Sequence, residues 1–434
     1  MSAARGEGQP PAGTVPEVIV VGGGVVGVAC AHYLAAAGRR VTVIDQGTIG
    51  GACSAGNCGY VCPSHVLPLT EPGAVGMAIR SLFTPNAPFR VKPRLDPGLW
   101  RWMWEFARRC THRQMLDAGV HLKALLDASI AEYRRLVREE GLDCQWKETG
   151  LLYVLRTARG MRAFAETDAL LTEHFGVPAV RLAGEELPAF DPALKPGLAG
   201  AYHYPGDASL RPDRLMADWA RRLAARGVEF VEGCRLEGVE RAGGEIRSLA
   251  TSRGPLRAGR YVFALGAWSP RIAAQLGTPI PIEQGKGYSV TMHRPDPCPV
   301  HPMLFPEHRV GISPFDDGYR IGSMMEFAGF DTSIPARRIR QLKDSAAPYL
   351  VAPTGPGPEE TWYGWRPMTW DSLPVIGPVP RLGNAFLATG HNMLGVSLAT
   401  ATGRLVAEMM DGATPHLDPA PFAPTRFVRA GGPA

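Results

Sequence analysis

Apolar residues follow two rhythms along the chain, and the changes of rhythm mark its elements. Val18 to Val21 are consecutive β-branched apolars, the pattern of a strand buried on both faces. Val28, Ala29, Ala31, Leu34 and Ala35 then make an apolar helical face, and Gly38 supplies the stop. Val41 to Ile44 repeat the buried-strand pattern and end on Asp45. Residues 46–73 have almost no periodicity and many small side chains, the mark of a long functional loop. Residues 98–140 return to spacings of three and four and predict helices. Beyond 150, strand patterns (GLLYVLR, VEFVEG, a meander ending in YVFALG) alternate with helical ones (MRAFAETDALLTEHFG, RPDRLMADWARRLAARG). Residues 278–330 alternate strands and turns, 335–350 form a basic helix, and TGPGP at 354–358 is a linker. NAFLATGHNMLGVSLATATGRLVAEMM reads as a strand, a glycine turn and a helix starting near Leu394 or Gly395. A Pro-rich tail follows, and no internal repeat is visible.

The first strand runs into Gly22, Gly24 and Gly27, spaced G-x-G-x-x-G, with Val25 and Val26 between them. Gly22 permits a tight turn, Gly24 lets backbone approach a pyrophosphate, and Gly27 lets the helix pack closely on the strand. The helix N-terminus offers free N–H groups and a positive dipole end to phosphates. Asp45 stands where a carboxylate accepts hydrogen bonds from an adenosine ribose, with Gln46 beside it. The acid favours an unphosphorylated ribose, so FAD or NAD over NADP.

At 434 residues and 45% hydrophobic content, one large α/β domain plus a second is expected. No apolar run approaches the ~18 residues that span a bilayer. Residues 1–16 are rich in Gly and Pro, contain Glu7 and lack a cleavage pattern. They read as a disordered leader and not a signal peptide, which makes the cytoplasm the expected location. The net charge of +5 is mildly basic, with no Lys/Arg block of the kind that binds nucleic acid. Weak attraction to an anionic membrane is the secondary reading of that charge. Of the eight cysteines, Cys53, Cys58 and Cys62 cluster, but their spacing fits no zinc or iron–sulfur pattern, so no metal is assigned. Small packing residues are the leading reading, a redox-sensitive thiol the other. Trp100, Trp102 and Trp104 cannot share one helix face, and read as core plus interface or as a docking surface.

Several separated stretches resemble the glycine oxidase / D-amino-acid oxidase superfamily of flavoproteins, and more narrowly the bacterial D-amino-acid dehydrogenase family. They are VGGGVVGVACAHYLAAAGRRVTVID, SAGNCGYVCPSHVLPLTEPG, WRWMWEFARRC, GKGYSVT, YRIGSMMEFAGFD, GWRPMTWDSLPVIG and ATGHNMLGVSLATATGRLVAEMM, in family order over nearly the whole chain. The resemblance implies non-covalent, extended FAD and a fold of class α/β. A Rossmann-like FAD-binding domain, discontinuous in sequence (17–84, 196–277 and 353–415), would carry a second α+β substrate domain (85–195 and 278–352). That second domain would roof the flavin with a mixed sheet, and 416–434 would be tail. Two departures stand out. The family's MTPDG is here MTWDS, with Trp370 and Ser372, and its ATGHG is ATGHN, with Asn392.

The resemblance places the substrate carboxylate on Arg366 in GWRP, a residue type whose planar fork meets a carboxylate with two hydrogen bonds. It places Gly364, Gly390, His391, Leu394, Gly395, Val396 and Ser397 about the flavin, where a helix N-terminus would stabilise charge developing on the pyrimidine. Ser54 and Asn57 read as phosphate or flavin contacts, and Ala264, Gly266 and Trp268 as the turn by the pyrophosphate. The segment from Arg235 to Val239 should pass the adenine. Tyr288 reads as a phenol near the substrate or as packing, and His65 as a flavin-edge or amine contact or a loop histidine. Arg320 reads as a second carboxylate contact or a structural cation. The implied activity is oxidation of an amino acid, foremost a D-amino acid, by hydride transfer to flavin N5, giving an imino acid and then a 2-oxo acid and ammonia. A quinone or other acceptor would reoxidise the flavin, and peripheral membrane association is compatible with that. Alternatives are a secondary amine (sarcosine, glycine, proline or hydroxyproline), a flavin-bearing assembly subunit, or a nicotinamide dehydrogenase.

Overall fold

A computed structural model describes residues 16–83, 88–92 and 94–428. Apart from Pro16 the expected leader lies outside the described residues, as does the expected boundary at 84–85. The predicted buried strands assemble into a six-stranded sheet. Its order is Val375–Pro378, Ala385–Thr389, Arg260–Phe263, Val18–Val21, Val41–Ile44 and Glu229–Val231. Neighbours run parallel except for the hairpin formed by the first two. Parallel strands are covered on both faces, which explains their unbroken apolar runs. Helices Val25–Ala36 and Gly395–Asp411 cover one face and pack closely, since a Cβ on Gly403 would collide with the backbone of Ala29.

The second sheet has nine strands and is mixed. Its path runs Glu360–Thr369, Ile282–Met292, Tyr319–Phe327, Val310–Pro314, Met303–Phe305, Leu151–Leu155, Gly200–Tyr204 and Val180–Ala183, and the ninth strand, Phe89–Val91, pairs off this path with Tyr319–Phe327. Its register aligns Tyr153, Leu304, Gly311, Gly322, Ser289 and Trp362 in one row across the strands. The aperiodic loop is fitted to this row. Ser289 Oγ donates to Gly56 O at 2.8 Å, Cys58 Sγ faces Gly322, and Tyr60 Oη fills the space over Gly311. Alternate loop residues thus step across successive strands as a strand's would.

Sheet membership departs from the expected division at three places. Glu360–Thr369 and Gly200–Tyr204 belong to the nine-stranded sheet, whereas both were placed with the nucleotide-binding segments. Helix His112–Glu140 packs instead on Gly395–Asp411, because its apolar face (Leu122, Leu125, Leu126, Tyr133) joins the core beside Val18 and Val20. Tyr133 Oη donates to Val396 O at 2.8 Å there. The expected tail is also docked as far as Val428: Phe422 is 2% exposed, and Arg426 pairs with Asp371 at 2.8 Å. Burying an aromatic ring and satisfying a half-buried carboxylate repay the ordering of this segment.

Candidate active site

The glycines of the first turn divide by cause. Gly22 has φ +110, and a Cβ there would collide with Ala264 O; one on Gly27 would collide with Gly22 O. Both are demanded by the chain's own packing. Gly24 is different. Its backbone is extended (φ −72, ψ 176), and a Cβ would meet only Ser54 Oγ at 3.4 Å. The chain's own packing does not demand a glycine at that position, and the flank of the helix N-terminus is left open there. Val26 packs on the core beside this turn. Ser54 Oγ accepts from Val25 N at 2.9 Å, and Asn57 holds the loop through Ser54 O at 2.5 Å and Gly59 N at 2.7 Å. Asp45 accepts from Gly23 N at 2.7 Å and Gly47 N at 2.8 Å, leaving each oxygen a second lone pair. Gln46 is exposed.

From Val25 and Ser54 a cavity of about 470 Å³ extends to Arg366. Leu394, Gly395, Val396 and Ser397 line it, and Trp362 and Gly364 border it opposite. The cavity therefore runs from one helix N-terminus, at Val25, to a second, at Gly395. Arg366 is the one charged lining residue among those described. Its guanidinium lies over Gly287, where any Cβ would overlap it, and Nη1 donates to Met324 O at 2.7 Å. Burial pushes its pKa down, and its titratable neighbours are the thiols of Cys58 and Cys53, not carboxylates. A cation held this way is costly until an anion joins it.

Other candidates lie elsewhere. Arg320 is no second carboxylate contact: it is 4% exposed and donates to Thr291 Oγ1 (2.8 Å), Ala55 O (2.9 Å) and Asn57 O (2.6 Å), so the loop stands between it and the cavity. The Tyr288 hydroxyl donates to Glu326 Oε2 at 2.6 Å, and Glu326 is in turn bound by Arg338. The phenol is therefore spent in the buried sheet, although the residue borders the cavity. Tyr288→Phe is expected to change kcat/KM less than about threefold while costing roughly 1 kcal/mol of stability, measured by steady-state kinetics and chemical unfolding. Trp268 stacks on Phe330 (5.8 Å) and meets Trp365 edge-on, outside the cavity lining. Gly266 and Gly390 adopt positive φ at turns behind the lining. Of the three clustered thiols, Cys53 and Cys58 border the cavity, Cys53 Sγ donating to Trp365 O at 2.8 Å and Cys58 facing Gly322, while Cys62 is buried.

His65 lines the cavity, and burial pushes its pKa down to about 4, so it is neutral there. His391 points away from the cavity, Nε2 at 3.0 Å from Thr402 Oγ1, and burial takes its pKa to about 3. The unfolded chain protonates this imidazole near pH 6.5 while the fold resists until about pH 3, so acidification through that window favours unfolding. His391→Asn is expected to lose on the order of 2 kcal/mol less than the parent between pH 6.5 and 5, read from paired denaturant titrations.

Trp362, Gly287, Ser372 and the apolar wall of Leu122, Tyr153, Phe164 and Leu171 also line or shape the cavity. The small residues at alternate positions of GKGYS were the sequence signal for the Gly287 floor.

The sequence profile of the DAO family, described as FAD dependent oxidoreductase, matches residues 17–409. A D-amino acid dehydrogenase of Granulibacter bethesdensis is 34% identical over 418 residues, covering 95% of this chain and 99% of that protein. One from Agrobacterium fabrum is 33% identical, with the same coverage. Among solved structures, glycine oxidase from Geobacillus kaustophilus superposes with a TM-score of 0.74 at 24% identity, covering 96% of this chain and 99% of that one. L-proline dehydrogenase from P. horikoshii gives 0.71 at 23% identity, covering 95% and 98%. A profile match over most of the chain and full-length relatives at 34% and 33% identity place the chain in the DAO family of FAD-dependent oxidoreductases.

Proposed function

We propose that this protein oxidises the α-amine of an amino acid, foremost a D-amino acid, to the imino acid, which hydrolyses to a 2-oxo acid and ammonia. The observation that carries the reading is Arg366, a guanidinium on a glycine floor with no carboxylate partner among the described residues. Its fork takes the substrate carboxylate and fixes the Cα–H direction, which converts binding into positioning. FAD, when bound, supplies the hydride acceptor at N5. Among the described residues no Asp or Glu lines the cavity, so an ammonium would meet Arg366 and find no counter-charge. The amine therefore reacts in neutral form, and kcat/KM rises with pH toward the amine's own pKa. The D-amino acid dehydrogenases 34% and 33% identical to this chain support the substrate class.

We further read the electron acceptor as a quinone met at a membrane surface. Trp100 and Trp104 are 53% and 69% exposed on helix Pro97–Ala107, with Leu95 and the exposed Arg101 and Arg108 nearby. Aromatics and arginines of this kind suit an anionic lipid interface. No helix among the described residues is long and apolar enough to cross a membrane. Co-sedimentation with anionic vesicles, lost in Trp100→Ser/Trp104→Ser, tests the surface.

Turnover of a D-amino-acid panel with a quinone analogue, scored for 2-oxo acid and ammonia, tests the activity. Equimolar release of both supports it. Turnover without ammonia points to a cyclic secondary amine, and none with any amino acid refutes the reading.

A further inference from the structure

The two departures from the family's sequence pattern meet in space. Asn392 is buried with φ +53, and its Oδ1 accepts from Thr369 N at 2.9 Å. Its Nδ2 donates to Ser372 O at 2.9 Å and to Gly390 O at 3.0 Å. One amide thus clasps the turn at 369–373 to the turn that leads into helix Gly395–Asp411. From the other side Arg426 holds the same turn, through Asp371 at 2.8 Å and Leu373 O at 2.9 Å.

Within this clasp Ser372 adopts φ +62, a left-handed conformation that glycine takes freely and serine takes under strain. The residue is 5% exposed, and among the described residues Oγ has no hydrogen-bond partner. A buried hydroxyl without a partner adds an unmet desolvation cost. Ser372 therefore pays twice where the family's glycine would pay nothing. It also lines the cavity, in company with Asn392, Met393 and Leu394 at the helix N-terminus. Trp370 Nε1 is likewise without a partner, but its ring packs outward against Phe427 and Arg109.

We propose that Ser372 is a flavin-contact residue whose hydroxyl donates a hydrogen bond to the carbonyl edge of the flavin's pyrimidine ring, and so favours the reduced, negatively charged cofactor. A ligand acceptor at this point would satisfy the orphaned Oγ. The helix N-terminus beside it carries the same sign of potential, so the two act together on one developing charge. The proposal needs FAD alone and is independent of which amino acid is oxidised.

The test uses purified holoprotein of the parent, Ser372→Ala and Ser372→Gly. The flavin is reduced by two electrons in equilibrium with a reference dye, and the readout is the exchange constant between them. Both variants lose the hydroxyl, and Ser372→Gly also relieves the backbone, so at least one folds as well as the parent. The expected result is an exchange constant shifted about tenfold toward oxidised flavin in both, the size of a hydrogen bond to a charged group. KM for the amino acid should stay within about threefold. An unchanged constant in both variants overturns the proposal, whether or not KM moves, since the hydroxyl then serves substrate or nothing. A shift in Ser372→Ala that is absent in Ser372→Gly also overturns it, because strain and not the hydroxyl would be responsible.

Discussion

Arg366→Ala should fold, retain FAD and lose about 10²–10³ in kcat/KM for every amino-acid substrate, because a buried carboxylate left without its partner costs on the order of 3–4 kcal/mol. The fold should survive because, among the described residues, the side chain makes a single hydrogen bond, to Met324 O at 2.7 Å. Removal also relieves a cation pressed into an apolar site. Arg366→Lys keeps the charge but not the fork, so it should recover part of the loss and remain about tenfold or more below the parent. Steady-state kinetics on flavin-loaded protein, with FAD content measured from the absorption spectrum, checks both. If the alanine variant turned over amino acids at the parent's efficiency, the carboxylate would have to bind elsewhere.

The second large effect is at the opposite end of the cofactor path, and it separates two glycines that look alike in sequence. Gly27→Ala should yield no folded holoprotein, since the new Cβ would occupy the position of Gly22 O, a backbone atom that cannot move without dismantling the turn. Gly24→Ala should fold, because its Cβ meets only Ser54 Oγ at 3.4 Å. That methyl intrudes where the phosphates approach, so FAD affinity should fall by about tenfold or more. Circular dichroism reports the fold and fluorescence titration of the apoprotein with FAD reports affinity. Comparable FAD affinity in Gly24→Ala and the parent would contradict the reading of the open flank.

The nucleotide-binding end was legible because it is local. Strand, glycines, helix, second strand and Asp45 lie within one continuous stretch, and each residue's cause is a near neighbour in the chain. Arg366 was legible through the resemblance of GWRP, but its cradle was not. Gly287 lies on the neighbouring strand, and only the pairing of Gly285 with Arg366 brings the guanidinium over it. GKGYS leaves Tyr288 between a phenol near the substrate and packing, because it does not name the hydroxyl's partner: Glu326, on the neighbouring strand and 38 residues further along the chain, takes its hydrogen bond. Arg320 was lost differently: it does face the loop side, alongside Gly322, but residues 55–57 intervene and take its hydrogen bonds. The domain boundaries misplaced helix His112–Glu140 because amphipathic spacing identifies an apolar face without naming the surface that receives it. Asn392 and Ser372 stood out as departures, while the amide that joins them spans 20 residues and is visible only in three dimensions.

The central claim is that an amino acid, anchored by Arg366, gives up its α-hydrogen to the flavin in this cavity. Anaerobic mixing of the FAD-loaded protein with D-amino acids and their L-enantiomers, followed at the oxidised flavin's absorption band, tests it most directly. Rapid bleaching by D-amino acids is expected in the parent, and bleaching slowed by about 10²–10³ at subsaturating substrate in Arg366→Ala. An oxidised spectrum that persists with every D-amino acid, or equal bleaching rates in parent and variant, would contradict it.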